Sequence, residues 1–215
     1  LNRKKADRYL QLLKKEYPLP KTALKYRSAV QLAVSVILSA QATDKIVNLV
    51  TRELYKKYRT VSDFADANLA TFEQEIRQIG LYRAKAKNII AMARMLREQY
   101  NSRMPKSIAE LQKLPGVGRK SANVIQGVLF GDAEGIAVDT HVTRLSGRLG
   151  LSRYKDPRKI EEDLKEWFAQ KEWVDVSHLL ILHGRNICDA RKPRCSICSL
   201  NKLCPQIGVT EKQRA

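Results

Sequence analysis

The sequence predicts an all-α protein, and three observations carry that reading. Apolar residues recur at helical spacing through almost the whole chain. Alternating apolar–polar runs are scarce, and hairpin signals such as Asn-Gly are absent. Helix boundaries are marked by Ser, Thr or Asp ahead of apolar runs and by Pro or Gly behind them.

Residues 1–17 read as a basic helix with Leu10, Leu13 and Tyr17 on one face, ended by Pro18 and Pro20. Residues 29–38 are hydrophobic on nearly every face, so that helix should be buried. Ser39-Ala40-Gln41-Ala42-Thr43-Asp44 is a small polar loop. Thr43 or Asp44 caps the next helix, which carries Ile46 or Val47, Val50, Leu54 and Tyr58. Thr71 with Gln74 reads as a capping box for a short helix that stops near Gly80. Leu81-Tyr82-Arg83 is then a turn. The longer helix after it turns Ile89, Ala93 and Leu96 inward and keeps Arg83, Lys85, Lys87, Arg94 and Arg97 on a basic outer face. Such a run reads first as a solvated surface. Ser107 and Glu110 suggest a further capping box, with Ile108 and Leu111 behind it. Beyond a loop at 131–135, residues 136–138 lead into a helix with Val142, Leu145 and Leu149. Asp156-Pro157 is a cap and first-turn pair, opening a helix with Ile160, Leu164, Trp167 and Phe168 on one face. Residues 175–184 give the last helix, stopped by Gly184, and a cysteine loop and polar tail follow. The total is about ten helices. Pattern alone places no domain boundary, and no Gly/Ser-rich linker appears.

Composition narrows the function. Hydrophobic residues make up 44% of 215, which suits a packed globular chain rather than a disordered one. Lys and Arg number 40 against 22 Asp and Glu, a net charge of +18. That excess favours a polyanion, most simply nucleic acid, with an anionic membrane surface as the rival. The longest apolar stretch, Ala29 to Ala40, is broken by Gln31 and Ser35 and is too short to span a bilayer. No segment reads as a signal peptide, so a soluble intracellular protein is expected.

Two local patterns carry chemistry. In Leu114-Pro115-Gly116-Val117-Gly118-Arg119-Lys120, Pro115 and Gly116 stop one helix and a second begins near Arg119, with Ala122, Ile125, Val128 and Leu129. Gly116 and Gly118 allow positive φ, so backbone N–H groups can turn outward at a helix start and bind a phosphate. This is a helix-hairpin-helix signature, although Gly-x-Gly alone also fits an ordinary turn. The second pattern is Cys188-x6-Cys195-x2-Cys198-x5-Cys204, the entire cysteine content. Such clustering points to a metal centre in a reducing compartment rather than to disulfides. A single Cys-x-x-Cys pair with unequal outer spacings suits a four-iron, four-sulfur cube better than zinc, which remains the alternative. Arg191, Lys192 and Arg194 lie in the long loop, where a metal pinning both ends would present them to phosphates.

The hairpin, the later Val138-Asp139-Thr140-His141 and the cysteine pattern together resemble endonuclease III, the bacterial bifunctional DNA glycosylases of the helix-hairpin-helix superfamily. Leu38-Ser39-Ala40-Gln41-Ala42-Thr43-Asp44 and Ile79-Gly80-Leu81-Tyr82 fit the same family, and the resemblance covers about residues 10–205. It implies two helical lobes: a six-helix barrel at about 22–133, with the hairpin at about 107–130, and an iron–sulfur cluster lobe of 1–21 plus 134–215. A DNA-binding cleft would lie between them. The implied protein is a cytoplasmic bacterial monomer acting on double-stranded DNA with a damaged pyrimidine or an abasic site, carrying a 4Fe-4S cluster and having no membrane partner.

The implied reaction takes the nucleotide out of the stack. Lys120 then attacks the sugar carbon C1′, the base leaves, and the Schiff base permits elimination on the 3′ side. Lys120 lies next to Arg119 at the start of that helix. Asp139 stabilises positive charge on the sugar or assists proton transfer, and it reads equally as the N-cap of the following helix. Gln41 fills the gap left by the flipped nucleotide and Leu81 wedges the opposite strand, with core packing as the plain alternative for Leu81. His141, His178 and His183 read as structural. Residues 45–58 and 131–135 match the family in pattern only, which leaves base choice open. Two rivals stand: a monofunctional adenine-removing glycosylase and a non-catalytic damage-binding paralogue. Lys120, and the lack of Asp or Glu in Ala33 to Leu38, argue against the first.

Overall fold

Residues 2–210 are described by the structure, a computed structural model, and they form eleven α-helices with two short 3-10 turns and no strand. They divide into two units. One spans Ala23–Phe130; the other takes the described residues of Leu1–Thr22 and Gly131–Ala215.

The Ala23–Phe130 unit contains α2 (Ala29–Leu38), α3 (Asp44–Lys57), α4 (Val61–Ala65), α5 (Leu69–Glu75), α6 (Tyr82–Gln99), α7 (Ile108–Leu111) and α8 (Arg119–Phe130). Helix α2 is central, and every residue from Val30 to Leu38 is buried. Its two polar side chains are satisfied. Gln31 Nε2 donates to Tyr58 O at 3.2 Å, and Ser35 Oγ meets Tyr55 OH at 2.6 Å. Around α2 lie Phe64, Phe72, Ile76, Ile89, Met92 and Leu96, all essentially inaccessible to solvent. Burying such side chains contributes about 1.5–3 kcal/mol each before entropy is counted.

The second unit contains α1 (Arg3–Glu16), α9 (Thr140–Leu149), α10 (Pro157–Trp167) and α11 (Trp173–Asn186). Its core gathers Tyr9, Leu13, Val142, Leu145, Ile160, Leu164 and Leu179. Helix α1 is tied to the chain's other end: Tyr9 OH donates to Leu203 O at 2.9 Å, and Ser199 Oγ to Glu16 Oε2 at 2.5 Å. Among the described residues no helix is long and apolar enough to cross a membrane.

Several local expectations need correction. Helix α5 is capped by Asn68, whose Oδ1 accepts from Thr71 N at 3.1 Å, so Thr71 lies inside the first turn. A capping box does occur, at Thr60 and Asp63, and it opens α4, a helix too short to show a period in sequence. Ser107 caps α7, but Glu110 bonds Tyr100 OH and Lys113 rather than returning to the cap. Tyr82 and Arg83 belong to α6, and Lys85 is buried instead of solvated. Gly184 does not stop α11, which runs on to Asn186. A Cβ at Gly184 would come within 3.1 Å of His141 and Arg144, so its smallness serves close packing. The polar tail beyond residue 210 lies outside the described residues.

Candidate functional site

Two exposed side chains stand on strained turns of the Ala23–Phe130 unit. Gln41 has φ 55 and Leu81 has φ 59, left-handed values that non-glycine residues rarely adopt. Such backbones cost about 1–3 kcal/mol each and persist only where their surroundings hold them. Gln41 follows the end of α2, where Ser39 Oγ donates to Val36 O at 2.8 Å and Ala42 N to Ser39 O at 3.1 Å. Thr43 then caps α3. Leu81 is the N-cap of α6, with no side-chain capping bond, and is 62% exposed. That exposure overturns core packing as its explanation.

The hairpin joins α7 to α8. Leu114 N bonds Leu111 O at 3.2 Å, Val117 N bonds Leu114 O at 3.0 Å, and Ala122 N bonds Gly118 O at 2.9 Å. Gly116 is left-handed, with φ 81. A Cβ there would sit 3.0 Å from Asn88 Cβ and 3.4 Å from Ile37 Cδ1. Gly118 departs from expectation: its φ is not positive, and nothing lies within 4 Å of where its Cβ would stand. Val117 turns its side chain into the core and uses its N–H within the turn. The hairpin is therefore pinned from inside by Val117. Gly116 and Gly118 are exposed, Arg119 is half-buried, and Lys120, the second residue of α8, is exposed.

In the other unit Asp139 is the N-cap of α9. Its Oδ1 accepts from His141 N at 2.8 Å and from Val142 N at 2.9 Å, so capping uses one carboxylate oxygen. The residue is half-buried, behind buried Ile136, Ala137 and Val138. His141 Nδ1 accepts from Arg144 Nη2 at 3.1 Å, and burial pushes its imidazole below the ordinary histidine range.

Cys188, Cys195, Cys198 and Cys204 are all free thiols, half-buried around a single cavity walled by Leu145, Leu149, Ile187 and Leu200. Among the described residues no three His, Cys, Asp or Glu side chains converge closely enough to hold a single metal ion. Polar nitrogens lie beside three of the sulfurs. Arg148 Nη1 lies 3.3 Å from Cys188 Sγ, Gln206 N 3.3 Å from Cys204 Sγ, and His183 Nε2 3.3 Å from Cys198 Sγ. Burial pushes the Cys198 thiol up to about 11 and raises Cys204 as well.

The sequence reading missed the arginines that shape this loop. Arg144 bonds Cys188 O and Gly184 O, at 3.0 and 2.9 Å, and Arg148 bonds Asp189 O and Ala190 O, at 2.6 and 2.8 Å. Their signal was present: two Arg four residues apart on α9, alongside the buried Leu145 and Leu149. Arg191 and Lys192 are exposed, and their N–H groups close onto Asp189 Oδ1 at 2.8 and 3.1 Å. Arg194 turns its guanidinium back to Asn186 O.

With this geometry in view, comparison with known proteins is informative. The family described as HhH-GPD superfamily base excision DNA repair protein matches residues 34–170. Endonuclease III of Synechocystis sp. is 44% identical over 203 residues, covering 94% of this chain and 93% of its own. Endonuclease III of Bacillus subtilis is 43% identical, covering 99% and 97%. A solved structure of a trapped endonuclease III–DNA covalent intermediate, an estranged-adenine complex, superposes with a TM-score of 0.90 at 43% identity, covering 96% of this chain and 97% of that one. The chain belongs to the endonuclease III family, within the HhH-GPD superfamily of base excision DNA repair proteins.

Proposed function

We propose that the chain is a base-excision DNA glycosylase with AP lyase activity, removing oxidised pyrimidines from duplex DNA and cutting the strand through a lysine Schiff base. The observation that carries this reading is Lys120, an exposed amine in the first turn of α8 directly behind the hairpin, in a member of the endonuclease III family. DNA as partner is supported by the solved neighbour, in which endonuclease III is covalently joined to DNA. The net charge of +18 supports the same partner.

The assigned roles follow from chemistry. The Lys120 Nζ lone pair forms a bond to C1′, and the glycosidic electron pair leaves with the base, which takes up a proton. The sugar opens to an iminium, which acidifies the C2′ proton. Loss of that proton breaks the C3′–O bond, and water then releases the lysine. Asp139, with one oxygen engaged in capping, is the carboxylate that stabilises positive charge on the sugar. Gln41 fills the vacated stack and Leu81 enters from the opposite strand. Gly116, Val117, Gly118 and Arg119 form the phosphate seat. Here Gly118 contributes the absence of a side chain, and Val117 contributes its inward anchor.

The four cysteines fit a 4Fe-4S cluster. Four thiols lining one apolar cavity, with a single Cys-x-x-Cys pair and unequal outer spacings, suit such a cluster, and N–H groups facing two of the sulfurs suit thiolates. When bound, the cluster would supply a rigid crosslink of residues 188–204. Arg191 and Lys192 would then face phosphate from a fixed loop, while the Arg194 guanidinium stays tied back to Asn186 O. We read the protein as a monomer of the bacterial cytoplasm.

The test is product analysis on a duplex with one oxidised pyrimidine. The expected result is free base together with a strand cut on the 3′ side, without alkali. A cut that appears only after alkali would replace this reading with a monofunctional glycosylase. Binding without base release would replace it with a damage-binding protein.

A further inference from the structure

We propose that Lys85 is a positioning residue for duplex opening, a single buried ammonium that holds the Gln41 turn and the Leu81 turn in one frame. Lysine is almost never fully buried without a partner. Lys85 is 5% exposed, and its Nζ donates to Leu38 O at 2.9 Å and to Ala40 O at 2.6 Å. Leu38 ends α2, so the cation sits at the negative end of that helix and takes up carbonyls that have no partner within it. Ala40 O belongs to the peptide that leads into Gln41. One bond therefore fixes the plane from which the left-handed Gln41 departs.

The same residue closes the other turn. Lys85 N donates to Leu81 O at 3.1 Å, the first backbone bond after the left-handed N-cap of α6. Main chain and side chain of Lys85 thus hold the residues on which both exposed probes stand. A terminal carbonyl of α2 could be capped more cheaply by a glycine or by water. Burial also pushes the Lys85 ammonium below the ordinary lysine range, a cost that a purely local cap does not require. What the buried cation adds is rigidity between two turns 40 residues apart, counted from Gln41 to Leu81.

The inference rests on the reading that Gln41 and Leu81 enter the duplex, and the experiment separates the two. Lys85→Met keeps the length and removes all three donors. Single-turnover rates would be measured on a paired oxidised pyrimidine and on a preformed abasic site, which is already unstacked. A 2-aminopurine beside the lesion would report opening, and thermal unfolding would report the fold. The expected result is base excision slowed by about tenfold or more, slower opening, and abasic-site cleavage within about threefold of the parent. Gln41→Ala should add little to Lys85→Met, since both act on one step. Equal loss on both substrates, or no loss on either, would overturn the role of Lys85. If Gln41→Ala alone slows opening and Lys85→Met does not, the clamp fails and the wedge stands. If neither Gln41→Ala nor Leu81→Ala alters opening, the wedge reading itself fails. Should Lys85→Met not fold, Lys85→Gln is put through the same comparison.

Discussion

Asp139 caps α9, and the proposed reaction asks it also to steady positive charge on the sugar. Both of its capping bonds fall on Oδ1, and an asparagine can keep an oxygen there. Asp139→Asn is therefore expected to unfold within about 0.5 kcal/mol of the parent, while Asp139→Ala loses about 1 kcal/mol with the cap. Both should lose base excision, because both lose the negative charge. Denaturant unfolding set beside single-turnover rates checks this, and an Asp139→Asn variant with parental activity would assign the residue to structure alone. The Asp139 cap and the gathering of the four cysteines were legible because both depend on short spacings. Lys85 was not. On the α6 pattern it is one more basic residue, and its burial is decided by carbonyls that arrive from α2, up to 47 positions away. Leu81 was ambiguous for a related reason: an apolar residue in sequence is read as core, and only its left-handed backbone turns it outward.

The hairpin divides its two glycines between different tasks. Gly116 needs its hydrogen for conformation and for space. Ala there takes a positive φ and meets Asn88, so Gly116→Ala is expected to destabilise by about 1–2 kcal/mol. Gly118 has neither constraint, so Gly118→Ala should leave thermal unfolding unchanged and weaken DNA binding by obstructing close approach of a phosphate. Melting curves paired with a binding titration decide it; the reverse pattern would exchange the two assignments. The motif itself was readable, but of the two glycines that allow positive φ only Gly116 uses it, because spacing does not report dihedrals. The same limit explains α5, where Asn68 and Thr71 are both good caps and the helix takes the earlier one. It explains Gly184 as well: a glycine near a helix end reads as a stop, whereas here it gives room to His141 and Arg144.

At the scale of the molecule, helical class followed from periodicity, but the division into units did not. The unit containing α1 also contains the cysteine loop, joined by contacts such as Tyr9 to Leu203, 194 positions apart. No local pattern encodes such closure; it came into view in the sequence through family resemblance. The positive charge, by contrast, is a whole-chain property and was visible at once. The central claim is that this basic helical protein uses Lys120 as a covalent nucleophile on DNA. Borohydride trapping on a duplex with an oxidised pyrimidine tests it most directly, with the intact protein beside Lys120→Gln. The account predicts a stable protein–DNA adduct with the first and none with the second, with both binding the duplex. An adduct that survives in Lys120→Gln, or base release by the intact protein with nothing trapped, would contradict it.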